Sequence, residues 1–208
     1  MIRISFILLL ASIQFTFAQK ESFELKEGDI IFQDYHCGPL CAAIAEVTPS
    51  YENRGYTHCG MLIFKDNHWL VFEAISPVVC LTPLDSFLNR TETKEQNTLA
   101  RVKPNYEAAI KNATTNYSKY LGKAYDDYFI PDNDLYYCSE LLFLLYIEDG
   151  GFLFSLEPMT FKRKGQTHFM PEWLQYFDAL SCSIPEGVPG NSPGKMSLSE
   201  KITVLGDF

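Results

Sequence analysis

One cysteine in this chain stands where a thiol nucleophile would be placed. Tyr136-Tyr137-Cys138-Ser139-Glu140-Leu141-Leu142-Phe143-Leu144-Leu145-Tyr146 reads as a short apolar helix opening at Cys138, after the polar, helix-breaking run Ile130-Pro131-Asp132-Asn133-Asp134. Leu141, Leu142 and Leu145 follow the cysteine at i+3, i+4 and i+7, so one helix face enters a core while Cys138 sits on the first turn. The unpaired N–H groups of that turn carry partial positive charge, which favours thiolate over thiol. A buried structural cysteine heading a core helix is nevertheless the commoner reading of such a residue. Only a base and an orienting group elsewhere in the chain can displace it.

Of four histidines, His58 is the best candidate base, and Glu73 the best candidate orienting group. His58 begins the strand-like run His58-Cys59-Gly60-Met61-Leu62-Ile63-Phe64, and Glu73 is the acidic residue inside Trp69-Leu70-Val71-Phe72-Glu73-Ala74-Ile75. Lys65-Asp66-Asn67-His68 between them is turn chemistry, which makes the two runs a β-hairpin. An even-membered loop centred on Asp66-Asn67 sets Gly60 across from Glu73 and His58 across from Ile75. His58 and Glu73 then share a face as diagonal neighbours; an odd-membered loop would separate them. A carboxylate beside the imidazole fixes its tautomer and stabilises the imidazolium formed when it takes a thiol proton. Taken singly, Glu73 also reads as an edge charge that discourages aggregation, and His58 as a hydrogen-bonded strand residue.

The rest of the sequence bounds the function. With 208 residues the chain fits one domain with a sizeable core. Residues Met1 to Ala18 read as a secretory signal: Arg3 supplies the charge, Ile4 to Leu10 the apolar stretch, and Thr16-Phe17-Ala18 the cleavage site. The expectation is a leader over 1–18, a single domain over 19–208, and secretion or release into a periplasm. No stretch is long enough to span a bilayer. There are 26 Asp and Glu against 17 Lys and Arg, a net charge of −9, which argues against a nucleic-acid partner. Six cysteines in an exported chain permit disulfides, but if Cys138 is free at least one other must be too. The expectation is that most are small buried residues. A metal site drawn from His36, Cys37, Cys41, His58 and Cys59 lacks a second knuckle pair, so neither metal nor cofactor is expected.

Further elements follow from the pattern. Gly28 to Gln33 is a turn entering a buried strand, and Cys37 to Val47 a short helix with Pro39 in its first turn. Thr48 to Thr57 is a polar loop whose tip reads as a flexible flap over a site. Val78 to Leu81 adds a strand, Thr82 N-caps a helix to about Arg90, and Asn97 to Lys103 is another strand. Tyr106 to Leu121 forms the longest helix, ended by Gly122. The Cys138 helix runs until Gly150-Gly151. Pro171 opens a helix to about Phe177, Cys182 to Pro193 is an irregular strap, and Ile202 to Leu205 a last strand.

These motifs together resemble a known family. Gly28-Asp29-Ile30-Ile31-Phe32-Gln33, Tyr56-Thr57-His58-Cys59-Gly60, Phe72-Glu73-Ala74, Leu121-Gly122-Lys123-Ala124-Tyr125-Asp126 and Tyr137-Cys138-Ser139-Glu140-Leu141 are similar to stretches of the YiiX-like proteins. Those are circularly permuted relatives of the NlpC-type papain-like cysteine peptidases, and in them the histidine strand precedes the cysteine helix, as here. The resemblance implies an α+β, permuted papain-like fold with an antiparallel half-barrel sheet packed against helices. It implies Cys138 as nucleophile, His58 as general base then acid, Glu73 as orienting member, and Tyr125 on the oxyanion or substrate side. Gln33 is a further oxyanion donor by analogy with papain. The implied substrate is a small peptide or amide, cell-wall fragments above all. Lipid amides and esters are the alternative, since permuted relatives include lecithin-retinol-type acyltransferases, and a binding module that kept the site shape is a third. Cys59 departs from the family, where a small aliphatic residue is commoner.

Overall fold

The computed structural model describes residues 23–208; the leader expected over 1–18 lies outside them. Strand β1 (Ile30–Gln33) leads through Gly38, at φ 94°, into α1 (Pro39–Val47). Next comes the hairpin β2 (His58–Lys65) and β3 (His68–Ile75). Asp66 and Asn67 adopt φ 51° and 65°, a two-residue turn of the twisted kind that hairpins favour. The register pairs Lys65 with His68 and Met61 with Phe72, which continues to the even-loop register expected from sequence.

β4 (Val78–Pro83) pairs with β3 and runs straight into α2 (Leu84–Leu88). Thr82 is therefore a strand residue rather than a helix cap. β5 (Asn97–Val102) follows, then α3 (Glu107–Asn116), which tightens into a 3-10 turn over Tyr117–Tyr120. α4 (Cys138–Leu145) is shorter than its apolar pattern suggested. It stops because β6 (Ile147–Glu148) folds back on β7 (Gly151–Phe152) around Asp149 and Gly150, both at positive φ. β8 (Glu157–Pro158), α5 (Pro171–Ala179), β9 (Pro189–Gly190), α6 (Pro193–Ser197) and β10 (Ile202–Asp207) complete the chain. The expected strap thus contains a short strand, and an unanticipated helix follows it.

Six strands form one antiparallel sheet in the order β10-β5-β1-β2-β3-β4. Alternation along β2 splits the hydrophobic residues between two faces. Cys59, Met61 and Ile63 join Phe32 and Phe72 against Leu141, Leu142 and Leu145 of α4 and Ala109 and Ala113 of α3. Leu62, with Ile31, Val71 and Leu99, packs on Phe87 and Leu88 of α2. A third cluster joins α1 to α5 through Ala43, Trp173 and Phe177. The architecture is α+β, as expected. No helix among the described residues is long and apolar enough to cross a membrane.

The loop read as a flap is tied down. The Tyr51 N–H donates to Ser197 Oγ at 2.9 Å, and the Arg54 guanidinium grips both oxygens of Asp207 at 2.8 Å. Its ends, Thr48 and Thr57, lie beside Cys138 in the wall of one cavity.

The hairpin leaves no room for a side chain at Gly60. A Cβ there would lie 2.3 Å from Val71 Cγ1, 3.1 Å from the Phe72 carbonyl oxygen and 3.4 Å from Glu73 Cβ. Gly60→Ala should therefore destabilise the fold by about 1–3 kcal/mol, the usual cost of overpacking. Chemical denaturation measures this, and an unchanged midpoint would contradict the packing described.

Candidate active site

The site is built where β2 begins. Glu73 is fully buried, and a buried carboxylate must be paired or protonated. Four donors converge on it. His58 Nε2 lies 2.6 Å from Oε2, and the Arg90 fork gives Nη1 to Oε2 and Nη2 to Oε1, both at 2.6 Å. The Thr82 hydroxyl also donates to Oε1. Burial pushes the Glu73 pKa up, but hydrogen bonds from His58, Arg90 and Thr82 outweigh it and hold the group at about 2. The carboxylate is ionised throughout the working pH range.

His58 is caught between two anions. Its burial alone would favour the neutral ring, but hydrogen bonds and charge from Cys138 and Glu73 raise its pKa to about 9. With Nε2 committed to Glu73, Nδ1 is the nitrogen left for the Cys138 sulfur. Phe87, its ring centroid 5.6 Å away, backs the imidazole from the α2 side.

Cys138 is the first residue of α4, and Leu141, Leu142 and Leu145 anchor its helix in the core. Its pKa is driven well down, first by a hydrogen bond from the Cys59 thiol. Burial opposes this, while His58 and the Cys59 backbone N–H reinforce it. Cys59 moves the other way: burial and the neighbouring Cys138 charge keep it a thiol, and hence a donor. Both shifts favour a Cys138 thiolate beside a His58 imidazolium. His58 and Cys59 are consecutive and belong to opposite faces of β2, yet both reach the sulfur because it lies at the strand's end.

Tyr125 lies beside Cys138 along the wall of the same cavity. Its N–H donates to Pro77 O at 3.0 Å, and it bridges to Tyr136 just ahead of α4, so two edges locate the ring. Burial, then the Cys138 charge, raises its pKa, which keeps the phenol protonated. Glu140 closes the first turn of α4 by accepting from the Tyr137 N–H at 3.4 Å. Burial lifts its pKa to about 8 despite that bond. The cavity, about 90 Å³, is walled chiefly by Ile44, Val47, Phe129, Met159, Phe161 and Trp173.

The structure thus brings Cys138, His58, Glu73 and Tyr125 together. Gln33 is elsewhere engaged: its Nε2 donates to Phe87 O at 2.9 Å and Asn97 Oδ1 at 2.6 Å. Cys37 and Cys41 form a disulfide, which removes both thiolates from the metal set drawn in the sequence. The other four cysteines are free. Asp126 is spent locally, accepting from the Tyr128 and Ile130 N–H groups at 2.9 Å. Sequence reasoning missed Arg90, Thr82, the contact of Cys59 with the sulfur, and Asn191. Asn191 donates from its own N–H to Tyr137 Oη at 3.3 Å and from Nδ2 to Ser139 O at 3.2 Å. One signal was available: a buried acid in a strand demands a cation, and Arg90 ends the adjacent helical pattern.

The pairing has a definite pH signature. His58, raised from 6.5 to about 9, contributes stability that is complete below 6.5 and lost as pH climbs through 9. Glu73, lowered from 4.5 to about 2, contributes stability present above 4.5 and lost as pH falls through 2. The contribution of this pair to the unfolding midpoint should therefore be full between 4.5 and 6.5 and fall on both sides. It is superposed on the loss that Glu140, raised from 4.5 to about 8, brings as pH rises above 4.5. Glu73→Gln should flatten the profile, and a variant that keeps both slopes would refute this assignment. Cys59→Ala, which removes the thiol donor, should raise the pH at which Cys138 becomes alkylated by about one unit. Rate-versus-pH labelling reads this, and an unmoved profile would show that Cys59 merely packs.

Comparison with known proteins identifies the family and the fold. Residues 24–205 match the family described as permuted papain-like amidase enzymes of the YaeF/YiiX type, C92 family. YiiX of Escherichia coli K12 is 32% identical over 126 residues, spanning 60% of this chain and 59% of that protein. A crystal structure titled as the metalloprotein YiiX of Escherichia coli O157:H7 is similar in fold, with a TM-score of 0.73 at 24% identity over 89% of this chain and 99% of that one. Among the described residues here, no group of three or more His, Cys, Asp and Glu side chains is placed to hold a metal ion. With the match running from the first described strand into the last, this chain belongs to the permuted papain-like amidase family.

Proposed function

We propose that the protein is an exported thiol amidase whose nucleophile is Cys138, with His58 as base and acid and Glu73 as the group that orients the ring. The observation that carries the reading is the relay itself. The Cys138 sulfur is engaged by an imidazole whose other nitrogen lies 2.6 Å from a buried, ionised carboxylate. The thiolate attacks the amide carbonyl, and the oxyanion forms on the side of the cavity where Tyr125 offers a protonated hydroxyl. The His58 imidazolium gives its proton to the nitrogen as the C–N bond breaks, leaving an acyl thioester on Cys138. His58, now neutral, takes a proton from water. The resulting attack on the thioester releases the acid and restores the ion pair. Arg90 keeps the negative charge on Glu73, so that carboxylate stabilises the imidazolium without itself taking the proton.

Two substrate classes were open in the sequence, peptide amides of cell-wall fragments and lipid amides or esters. The cavity beside Cys138 favours the second. Its walls are mainly aliphatic and aromatic, and no Asp or Glu lines it, so it suits an apolar acyl group. The expected leader over Met1 to Ala18 would deliver the enzyme to substrates outside the cytoplasm.

Iodoacetamide labelling across pH tests the chemistry. Alkylation of Cys138 should persist well below the pH at which an ordinary thiol ionises and collapse in His58→Ala. An inert or disulfide-bonded Cys138 in the folded protein would end the catalytic reading. Mass spectrometry of a cell-wall digest and a lipid-amide panel then separates the substrate classes. Turnover of the lipid amides by the wild type and not by Cys138→Ala is expected, and turnover of the wall peptides alone would reverse the choice.

A further inference from the structure

A second, larger cavity borders the one at Cys138. It measures about 390 Å³, and Asn191 and Lys195 belong to the walls of both. Unlike its neighbour it is mixed in character. Phe152, Leu198 and Met196 give an apolar side, with Phe152 and Leu198 about half exposed, while Ser155, Ser199 and Lys201 give a polar one.

The two lysines are not equivalent. Lys195 is paired with Glu157, which also lines the cavity, so its charge is already answered. Lys201 has no carboxylate within ion-pairing distance among the described residues. Its Nζ donates to Leu153 O at 2.7 Å and stands 5.8 Å from the centre of the Tyr106 ring. One hydrogen bond and one ring face leave donor capacity on an ammonium that has three N–H groups. In a chain whose net charge is −9, a cation held against a cavity wall with no acidic partner is a specific arrangement. The backbone that carries it is fixed as well, because the Lys201 carbonyl accepts from the Lys103 N–H at 2.9 Å at the head of β10.

Which half of a substrate would reach it follows from the chemistry proposed above, on which this inference rests. The leaving amine must depart over His58, which hands it a proton, and His58 lines neither cavity. The acyl half stays on Cys138, in the first cavity. A chain that extends from there across the border at Asn191 and Lys195 enters the second. We propose that the second cavity is an acyl-side subsite for an anion, and that the substrates are amides whose acyl chain is apolar near the scissile carbonyl and ends in a carboxylate held by Lys201.

The probes are anilides of dicarboxylic half-acids, from succinyl to dodecanedioyl, and methyl-terminated acyl anilides of matched length. Calorimetric titration of the Cys138→Ala protein reads binding without turnover. Within one window of chain length the carboxylate-bearing anilide should bind about tenfold more tightly, as a charge-assisted hydrogen bond allows. Lys201→Met should erase that preference and leave the methyl-terminated series unchanged, while Lys201→Arg should keep it. Retention of binding to the methyl-terminated probes shows that the Met variant is folded. Equal affinities at every length, or a preference that survives Lys201→Met, would overturn the proposal. Turnover of the same anilides by the unsubstituted protein reads the hydrolase separately. Selective binding without cleavage would sink the amidase reading and leave the anion subsite standing; cleavage without selectivity would do the reverse.

Discussion

A single buried carboxylate organises this structure. Glu73 sits in a strand that, after His68, is otherwise made of Trp, Leu, Val, Phe, Ala and Ile, and it has no solvent contact. Left alone it would be neutral, because desolvation penalises the charged form. Arg90 and Thr82, from the far ends of α2 and β4, hold it charged, and that charge in turn keeps His58 protonated. Breaking a buried pair on one side leaves an uncompensated charge, which typically costs about 3–5 kcal/mol. Stability and the protonation of His58 therefore draw on the same contact. The β3–β4–α2 corner is a scaffold for a charge as much as for a core.

The sulfur lies at the start of β2, where residues from both faces of the sheet reach it. A residue in the middle of β2 would meet Cys138 from the α4 face alone. At the strand's first two residues, His58 from one face and Cys59 from the other both contact it, and the Cys59 backbone N–H adds a third interaction. Cys59 is buried and held in its thiol form, so it donates to a thiolate without competing as a nucleophile. A small aliphatic residue at this position would fill the same space without donating a hydrogen bond.

What could be read in the sequence was whatever repeats locally. Alternation in the sequence left His58 and Glu73 on one face for an even-membered turn, and the two-residue turn at Asp66 and Asn67 is that case. The apolar spacing of α4 gave the helix and the place of its cysteine on the first turn. Boundaries set by tertiary pairing were not legible. α4 was drawn too long because β6 and β7 end it by pairing with each other. Thr82 looked like a cap because it precedes Pro83, but the strand continues and its hydroxyl turns to Glu73. The Arg90–Glu73 pair joins residues from separate elements, and no periodicity announces it. Asn191 lies in an irregular segment whose place over α4 depends on two long-range hydrogen bonds.

The order of the elements matters less than their contacts. The sheet presents His58 and Glu73, α4 presents Cys138, and the two meet through packing rather than through the intervening chain. That explains how a permuted order can leave the same juxtaposition intact, since function belongs to the site and not to the thread. It also separates chemistry from selection. Apart from Tyr125, the cavity walls come largely from α1, α5, the segment around Met159 and Phe161, and the strap that carries Asn191 and Lys195. Almost none of these touches Glu73 or His58. Substitutions along them can change what fits beside Cys138 while the buried ion pair stays as it is. The buried ion pair is therefore set by β2 and β3, and the shape of the cavity by residues that pack around it.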